Sequence, residues 1–513
     1  MLSVAPFAWT QGAMELFDLP DWIALIGCIV GLGGLVGAGE ILRSWGWRPS
    51  ATRRLVHAGV GLFVAGTPLI FSSTGPLYVL ALLFVVINTA AKWRRWWPAV
   101  HTARSESWGT VTMPLVVIPA VAATWSVDPG RTHILQLAFL VLALADPLAS
   151  WVGETYGRRD WVAGATVHGS AVIFGVTLVV IGTGLFGGGG WSIERSVAAA
   201  LSAAVVTTAS EAVSRRGWDN VFVVLSVILV LVPLHEVPGM AGQIGFALAV
   251  GIAFGAATYA TRTLTAAGAV GGGLFAASLV GLGGWAWAVP GFVFFVGSNS
   301  LSIFKAKKTG TESSNSRSLA HGTAQEDGRT LPQVLANGGV AWLLLGGYVL
   351  LPPSAAHLQT GCYVGFLGAL AAAAADTWAT EIGERSSSRS WSLRTGARVE
   401  AGLSGAVSGA GTLGALLGAA TVGGAAVLGG GAVGSFEWRT VPNVVAAGSI
   451  GMVVDSLAGA FLQARYRKLA SGRPIEEPDG DEAVLVQGWK RIDNEVVNWI
   501  CTTAGAVAAV LFC

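Results

Sequence analysis

Apolar runs of roughly 17–25 residues recur along the whole of this chain, each long enough to cross a hydrocarbon core of about 30 Å as a helix. Sixteen are expected, at approximately 21–42, 56–72, 75–91, 109–126, 133–151, 167–187, 196–213, 219–234, 240–260, 266–283, 285–304, 333–352, 359–381, 402–428, 442–463 and 494–512. Several are short or broken by Gly, a pattern tolerated at membrane depth where backbone lines a cavity. The composition agrees: 53% of residues are hydrophobic and 12% charged, against about one-quarter charged in soluble chains. The expected fold class is therefore an all-α polytopic membrane protein with about 16 transmembrane helices. The first twenty residues lack the basic start, apolar core and small-residue cleavage site of a signal peptide, so the first run is expected to stay in the mature chain.

Charge placement sets a topology. Every Lys and Arg except Arg131, Arg195 and Arg439 falls in loops after odd-numbered runs. By the positive-inside rule those loops are cytoplasmic, and both termini are predicted to be non-cytoplasmic. The net charge of +2 suggests no nucleic-acid partner. Cys28, Cys362, Cys501 and Cys513 show no CxxC spacing, so neither a zinc site nor a disulfide framework is implied.

One acidic decapeptide occurs twice. Residues 145–154 read ADPLASWVGE and residues 375–384 read ADTWATEIGE, each at the end of an apolar run. Around them the order of polar residues repeats. Asn88, Asp146 with Glu154, Glu211 and Asp219-Asn220 in the first half are matched by Asn337, Asp376 with Glu384, Asp455 and Asp493-Asn494 in the second. Two diverged, fused units are predicted, residues 1–264 and 265–513.

A carboxylate within a span costs about 2.5–3.5 kcal/mol on insertion scales, so it normally faces a cavity, a partner or an ion. Asp146 and Ser150, like Asp376 and Thr380, are four residues apart and share a helix face. Such oxygen-rich groups suit Mg²⁺, which commonly shares its ligands with substrate phosphates. Asp146, Glu154, Glu211, Asp376, Glu381 and Asp455 are the candidate metal ligands, and Asp219, Glu384 and Asp493 complete the catalytic candidates. Cationic clamps on phosphates are the other requirement of phosphoryl transfer. Arg53, Arg54, Lys92 and Arg158 flank the first set, and Lys305, Lys308, Arg385 and Arg398 flank the second. Asn88, Asn220, Asn337, Asn494 and Asn498 are candidates for orienting phosphates. The same acids read structurally are helix-end salt bridges, and the same cations are topology signals or contacts to anionic lipid. No Gly-x-x-x-x-Gly-Lys-Ser/Thr segment occurs, which excludes a P-loop. His57 and His168, near helix starts, have the chemistry of a base or phosphate donor, although a lone His is more often a hydrogen-bonded structural residue.

The first half resembles the CTP-dependent polyprenol kinases, the dolichol kinase and phytol kinase group. The resemblance runs through TRRLVHAGVGLF (52–63), SWGTVTMPL (107–115), LADPLASWVGETYGRRDW (144–161), HGSAVIFG (168–175) and SEAVSRRGWDNVFVVL (210–225). The second half resembles the phytyl-phosphate kinase family through FFVGSNSLSIFKAKK (294–308), GRTLPQVLANGGV (328–340), AADTWATEIGE (374–384), RTGARVEAGLSGAVSGAGTLGALLGA (394–419), GMVVDSLAGAFLQ (451–463) and IDNEVVN (492–498). Two positions depart from these patterns. Ala165 in ATVHGS replaces a lysine, and Ala397 in TGA replaces another, ahead of AGLSG where Pro-Gly-Thr-Asn-Gly is usual.

The resemblance implies a bifunctional lipid kinase at the cytoplasmic face of the inner membrane, using Mg²⁺ and CTP or another nucleoside triphosphate. It would convert an isoprenoid alcohol such as phytol or geranylgeraniol to its monophosphate, and the prenyl monophosphate to the diphosphate. Two other readings stand beside it. A cytidylyltransferase would direct attack to the α-phosphorus of CTP, and a transporter would use a two-unit membrane chain for alternating access. The decapeptides end the fifth and thirteenth runs, an even number apart, which puts both on one face and counts against an inverted repeat.

Overall fold

The computed structural model describes residues 19–94, 107–188, 190–309, 328–386, 390–399, 404–430, 437–468, 474–475 and 483–512. Among them are sixteen α-helices, one in each expected apolar stretch. By length and composition, thirteen candidate spans among the described residues are long and apolar enough to cross a membrane. The chain is an all-helical integral membrane protein. Two compact units, residues 1–245 and 246–513, divide it inside a helix.

Unit 1 contains α1 (Leu19–Ser44), α2 (Pro49–Gly66), α3 (Gly75–Arg94), α4 (Gly109–Ala123), α5 (Thr132–Tyr156), α6 (Val167–Gly187), α7 (Ile193–Val213) and α8 (Asp219–Glu236). At 15 residues α4 is too short to span, and α2 carries Arg53, Arg54 and His57 in its first turns. Helix α5 packs against α2, α6 and α8 and buries Ile134, Leu135, Phe139 and Leu142 completely. Between α5 and α6 lies a hairpin of β1 (Asp160–Val162) and β2 (Ala165–Thr166). Its two-residue turn has positive φ at both Ala163 (51°) and Gly164 (85°), as a type I′ turn requires. Thr166 then caps α6, its Oγ1 accepting the Gly169 amide at 3.1 Å.

Unit 2 takes most of α9 (Ala241–Ala260) and all of α10 (Ala266–Ser278), α11 (Trp285–Thr309), α12 (Leu331–Leu350), α13 (Ala356–Arg385), α14 (Gly409–Leu428), α15 (Val441–Phe461) and α16 (Asn494–Phe512). The expected run 402–428 is helical only from Gly409. Ala406–Val407 (β5) instead joins Ser390–Ser392 (β3) and Arg398–Val399 (β4) in a small antiparallel sheet, ordered β4-β3-β5. Ser408 ends that sheet and caps α14 through the Gly411 amide at 3.1 Å. A second sheet, ordered β7-β6-β8, joins Arg465–Lys468 (β6), Pro474–Ile475 (β7) and Ala483–Gln487 (β8) ahead of α16.

Lipid is as apolar as a Leu side chain, so helices inside the bilayer associate through close packing, which favours small residues. Unit 2 is built this way. Ala369–Ala375 of α13 are almost entirely buried. A Cβ on Gly368 would stand 2.4 Å from the Gly505 carbonyl oxygen of α16, and one on Gly418 of α14 would stand 2.7 Å from that of Ala374. At one end of the unit Trp287 fills the core, its ring centroid 4.5 Å from that of Phe366 and 5.1 Å from that of Tyr363.

Candidate functional site

In unit 1 the chemistry-bearing residues gather on the second half of α5 at two levels. Asp146 forms the first. Its Oδ2 is 3.4 Å from His57 Nε2 of α2. It lies within Coulombic reach of Glu211, near the end of α7, and of Asp219, which opens α8 and also feels His57 and Arg53. Glu211 Oε2 is buried with no hydrogen-bond partner among the described residues. Three acids from three helices thus meet one histidine and one arginine.

Glu154 forms the second level, eight residues and so about 12 Å further along α5. Arg54 donates to Glu154 and, from Nε, to Ser150 Oγ at 3.2 Å. The two acids therefore lie at different levels along α5, too far apart for one cation to bind both. Among the described residues no three of the candidate acids place ligand atoms within 4.8 Å of one another. A cation held here would take its remaining ligands from phosphate oxygens.

The other candidates of unit 1 surround the start of α4. Asn88 Nδ2 donates to Thr110 O at 2.9 Å, and Lys92 Nζ to Ser107 O at 2.6 Å while lying over the Trp108 ring. Asn220, buried, donates to Gly109 O at 2.8 Å and Thr112 Oγ1 at 3.2 Å. These side chains tie α3 and α8 to the first turn of α4 through backbone carbonyls, close to Gly109. A Cβ there would stand 3.5 Å from Arg53 Nη2 and from Asn220 Nδ2. The two asparagines hold scaffold carbonyls, and Arg53 is the cation closest to the open backbone. Arg158 is exposed at the β1 hairpin.

Unit 2 brings its pair into closer contact. The carboxyls of Asp376 (α13) and Asp455 (α15) meet in hydrogen-bonding contact, and Asp455 Oδ1 is buried with no hydrogen-bond partner among the described residues. Two carboxyls at that range carry a shared proton or a bridging cation between them. Cys501 of α16 lies beside both, its Sγ 3.9 Å from Ala372 O. Glu381 faces Arg329, just ahead of α12. Burial draws the Arg329 guanidinium below its usual value and the Glu381 carboxylate opposes that shift. Arg329 reads from sequence only as a loop cation and as part of GRTLPQVLANGGV, not as a site candidate; it directly precedes the Thr330 cap of α12.

Several second-unit candidates are engaged elsewhere. Asp493 is exposed and caps α16 through the Val496 amide at 2.9 Å, with Asn494 exposed beside it. This differs from Asp219-Asn220, whose amide is buried. Asn337 Nδ2 turns back to Gln333 O at 2.9 Å within α12, whereas Asn498 is half-buried in α16 and only its backbone carbonyl accepts, from Thr502 Oγ1. Arg385 donates to Leu301 O, and exposed Arg398 lies over the Trp391 ring with its guanidinium carbon 5.1 Å from the centroid. Glu384 is half-buried near the end of α13. Lys305 and Lys308 fall near the end of α11, where the side chains lie outside the described residues.

The repeated decapeptide has a structural part common to both units. Gly153 lies against Thr166 Oγ1, and a Cβ on Gly169 would stand 3.3 Å from Ala149 O; Gly383 lies against Ser408 Oγ, and a Cβ on Gly411 would stand 3.0 Å from Ala379 O. The Ala and Gly of the motif therefore form a close helix crossing with the next helix. No solved structure matches the chain. Residues 249–506, half of the chain and nearly all of unit 2, match the family Integral membrane protein DUF92, and the chain belongs to that family.

Proposed function

We propose that the protein is a bifunctional membrane lipid kinase, in which unit 1 phosphorylates an isoprenoid alcohol and unit 2 phosphorylates the resulting prenyl monophosphate, with CTP as donor. The observation that carries this reading is the pairing of the repeated motif acid with an acid from a neighbouring helix in both units: Asp146 with Glu211, and Asp376 with Asp455. Buried oxygens on Glu211 and Asp455, without a hydrogen-bond partner among the described residues, fit a hard divalent cation. Mg²⁺ bound there would neutralise phosphate charge. The lysines missing at Ala165 and Ala397 leave arginines as the phosphate cations, Arg53 and Arg54 in unit 1 and Arg329 in unit 2.

In the first step the prenol oxygen attacks the γ-phosphorus of CTP, the bond from that phosphorus to the bridging oxygen of CDP breaks, and the hydroxyl proton passes to a carboxylate. Asp146 is placed for that proton, with His57 3.4 Å away to take it on. In the second step a phosphate oxygen of the prenyl monophosphate attacks the γ-phosphorus of a second CTP, and the bond from that phosphorus to the bridging oxygen breaks to release CDP. That acceptor already carries negative charge, which suits the additional cationic reach of Arg329 beside Glu381. The positive-inside distribution supports both sites opening to the cytoplasm from the inner membrane.

Purified protein incubated with phytol, geranylgeraniol or their monophosphates and with α- or γ-labelled CTP tests the reading. Label from the γ position should enter both lipid products. Label from the α position would identify a cytidylyltransferase instead, and the absence of any labelled lipid, with substrate movement across proteoliposomes, would identify a transporter.

A further inference from the structure

The glycines of α6 differ in what packs against them. A Cβ on Gly169 would stand 3.3 Å from Ala149 O of α5, and one on Gly182 would stand 3.7 Å from Ala200 Cβ of α7, whereas one on Gly175 would meet nothing within 4 Å. Gly weakens a helix relative to Ala, and close packing does not account for it at Gly175. Seven residues make nearly two turns, so Gly175 lies on almost the same face of α6 as Gly182. By the same spacing Thr207 and Glu211 lie on almost the same face of α7 as Ala200. The two helices are packed neighbours joined by a short loop and run antiparallel, which sets Gly175 level with Thr207 and Ala171 level with Glu211. The seam between them therefore closes at Gly182 and Ala200, and towards Glu211 it has only Gly and Ala on the α6 side. Ala171 and Val179, four residues to either side of Gly175, are exposed, as is Leu201 of α7, so the seam opens on the outer, lipid-facing surface of the helix pair.

The α7 side of the seam supplies an independent observation. Thr207 Oγ1, Thr208 Oγ1 and Glu211 Oε2 are buried and have no hydrogen-bond partner among the described residues, and Thr207 is buried completely. A hydroxyl inside an apolar helix commonly donates to the carbonyl four residues back. Thr183 of α6 does so to Val179 O at 2.6 Å, and Ser214 at the end of α7 does so to Ser210 O at 2.6 Å. Thr207 and Thr208 do not, and each keeps a donor and an acceptor about one turn before Glu211. Buried polar groups in folded proteins are normally satisfied, so helix packing explains Gly182 and Ala200 but leaves these hydroxyls unexplained. The charge around them selects what could satisfy them. Glu211 lies within Coulombic reach of Asp146 and Asp219, and three acids disfavour an anionic headgroup, whereas a neutral hydroxyl accepts from a threonine and donates to a carboxylate.

We propose that the seam between α6 and α7 is the lateral entrance through which unit 1 takes a lipid alcohol out of the bilayer. The hydroxyl reaches Thr207 and Thr208 beside Glu211, and the apolar tail leaves past Gly175 into lipid. The inference rests on the reading of unit 1 as an alcohol kinase and adds to it which helices admit the acceptor, and from which side. Nucleotide would approach from the basic start of α2, where Arg53 acts on Asp219, so the two substrates meet at the acids from different directions.

A diazirine-bearing geranylgeraniol, photolysed with full-length protein in nanodiscs without nucleotide, should label peptides of α6 and α7. Excess geranylgeraniol should remove that label, and the same excess of its monophosphate should not. Gly175→Leu should lower both the labelling and the first-step kcat/KM by on the order of tenfold, while the melting temperature and the conversion of added prenyl monophosphate stay as in wild type, because the added Cβ meets open space. Replacing both hydroxyls, Thr207→Val with Thr208→Val, should weaken labelling by about fivefold. Label confined to other helices, or wild-type labelling and first-step rate in Gly175→Leu, overturns the proposal, and a wild-type protein that still phosphorylates the alcohol then leaves the kinase reading standing. Seam labelling in a wild-type protein that phosphorylates no alcohol overturns the kinase reading and keeps the seam as an alcohol site. Equal competition by alcohol and monophosphate overturns the assignment to a neutral headgroup.

Discussion

ADPLASWVGE on α5 and ADTWATEIGE on α13 share a scaffold and differ in what they present. In both, the first Ala is fully buried, the next Ala offers its carbonyl to a Gly of the following helix, and the motif Gly receives the hydroxyl that caps that helix. Beyond this common crossing the units diverge. Asp146 meets a histidine and two acids at longer range, whereas Asp376 touches Asp455 directly. Ser150 and Glu154 are bound by Arg54, while Trp151, half-exposed, becomes Glu381 facing Arg329. Backbone packing has been kept between the units while the charged groups were rearranged, as expected if one architecture serves two acceptors of different charge.

The largest effect should come from exchanging the motif acids one at a time. Under the proposed assignment Asp146→Asn lowers prenol phosphorylation by on the order of 10²–10⁴-fold and leaves conversion of added prenyl monophosphate intact. Asp376→Asn does the reverse. Rates of each step, measured separately with supplied substrate, check this. A loss of both steps in either variant would break the division of labour between units, and retention of the targeted step would remove that Asp from the chemistry.

The sequence made the helices legible because each needs a long apolar run, and such runs stand out over whole windows. Helix ends were less so. The run 402–428 continues through Ala406 and Val407, whose Gly/Ala-rich composition cannot separate a β-bridge from a helix. The motif acids were legible because intramembrane carboxylates are rare, but their partners depended on tertiary placement. Asp219-Asn220 and Asp493-Asn494 look alike as dipeptides, yet one amide is buried against α4 and the other pair is exposed at a cap. His57 read as a lone structural histidine because nothing local reveals Asp146, 89 residues away. Its i,i+3 spacing from Arg54 on one helix face was the available signal.

A medium effect should come from the shared crossing. Gly169→Ala and Gly411→Ala each press a methyl against a carbonyl and a capping hydroxyl. Overpacking costs about 1–3 kcal/mol, and the better helix propensity of Ala returns up to about 1 kcal/mol. Both variants should therefore lower thermal stability in detergent. Gly411→Ala should lower it more, because Ala379 O would lie at 3.0 Å where Ala149 O would lie at 3.3 Å. If both variants melted as wild type, the Ala and Gly of the motif would need another explanation than close packing.

The smallest effect should separate Arg54 as a stabilising residue from Arg54 as a positioning one. Glu154 is half-exposed, so a cycle of Arg54→Ala, Glu154→Ala and the double variant should show a coupling of only about 0.2–1 kcal/mol in stability. Positioning has a different signature. The guanidinium donates to Ser150 and Glu154 at once, a fork that an ammonium cannot reproduce. Arg54→Lys should therefore keep the stability and lose first-step efficiency nearly as far as Arg54→Ala, with the second step unchanged in both. If Lys restored the first step, charge alone would suffice at this position, and the Ser150 branch, the contact with no counterpart described at Thr380, would cease to distinguish the two units.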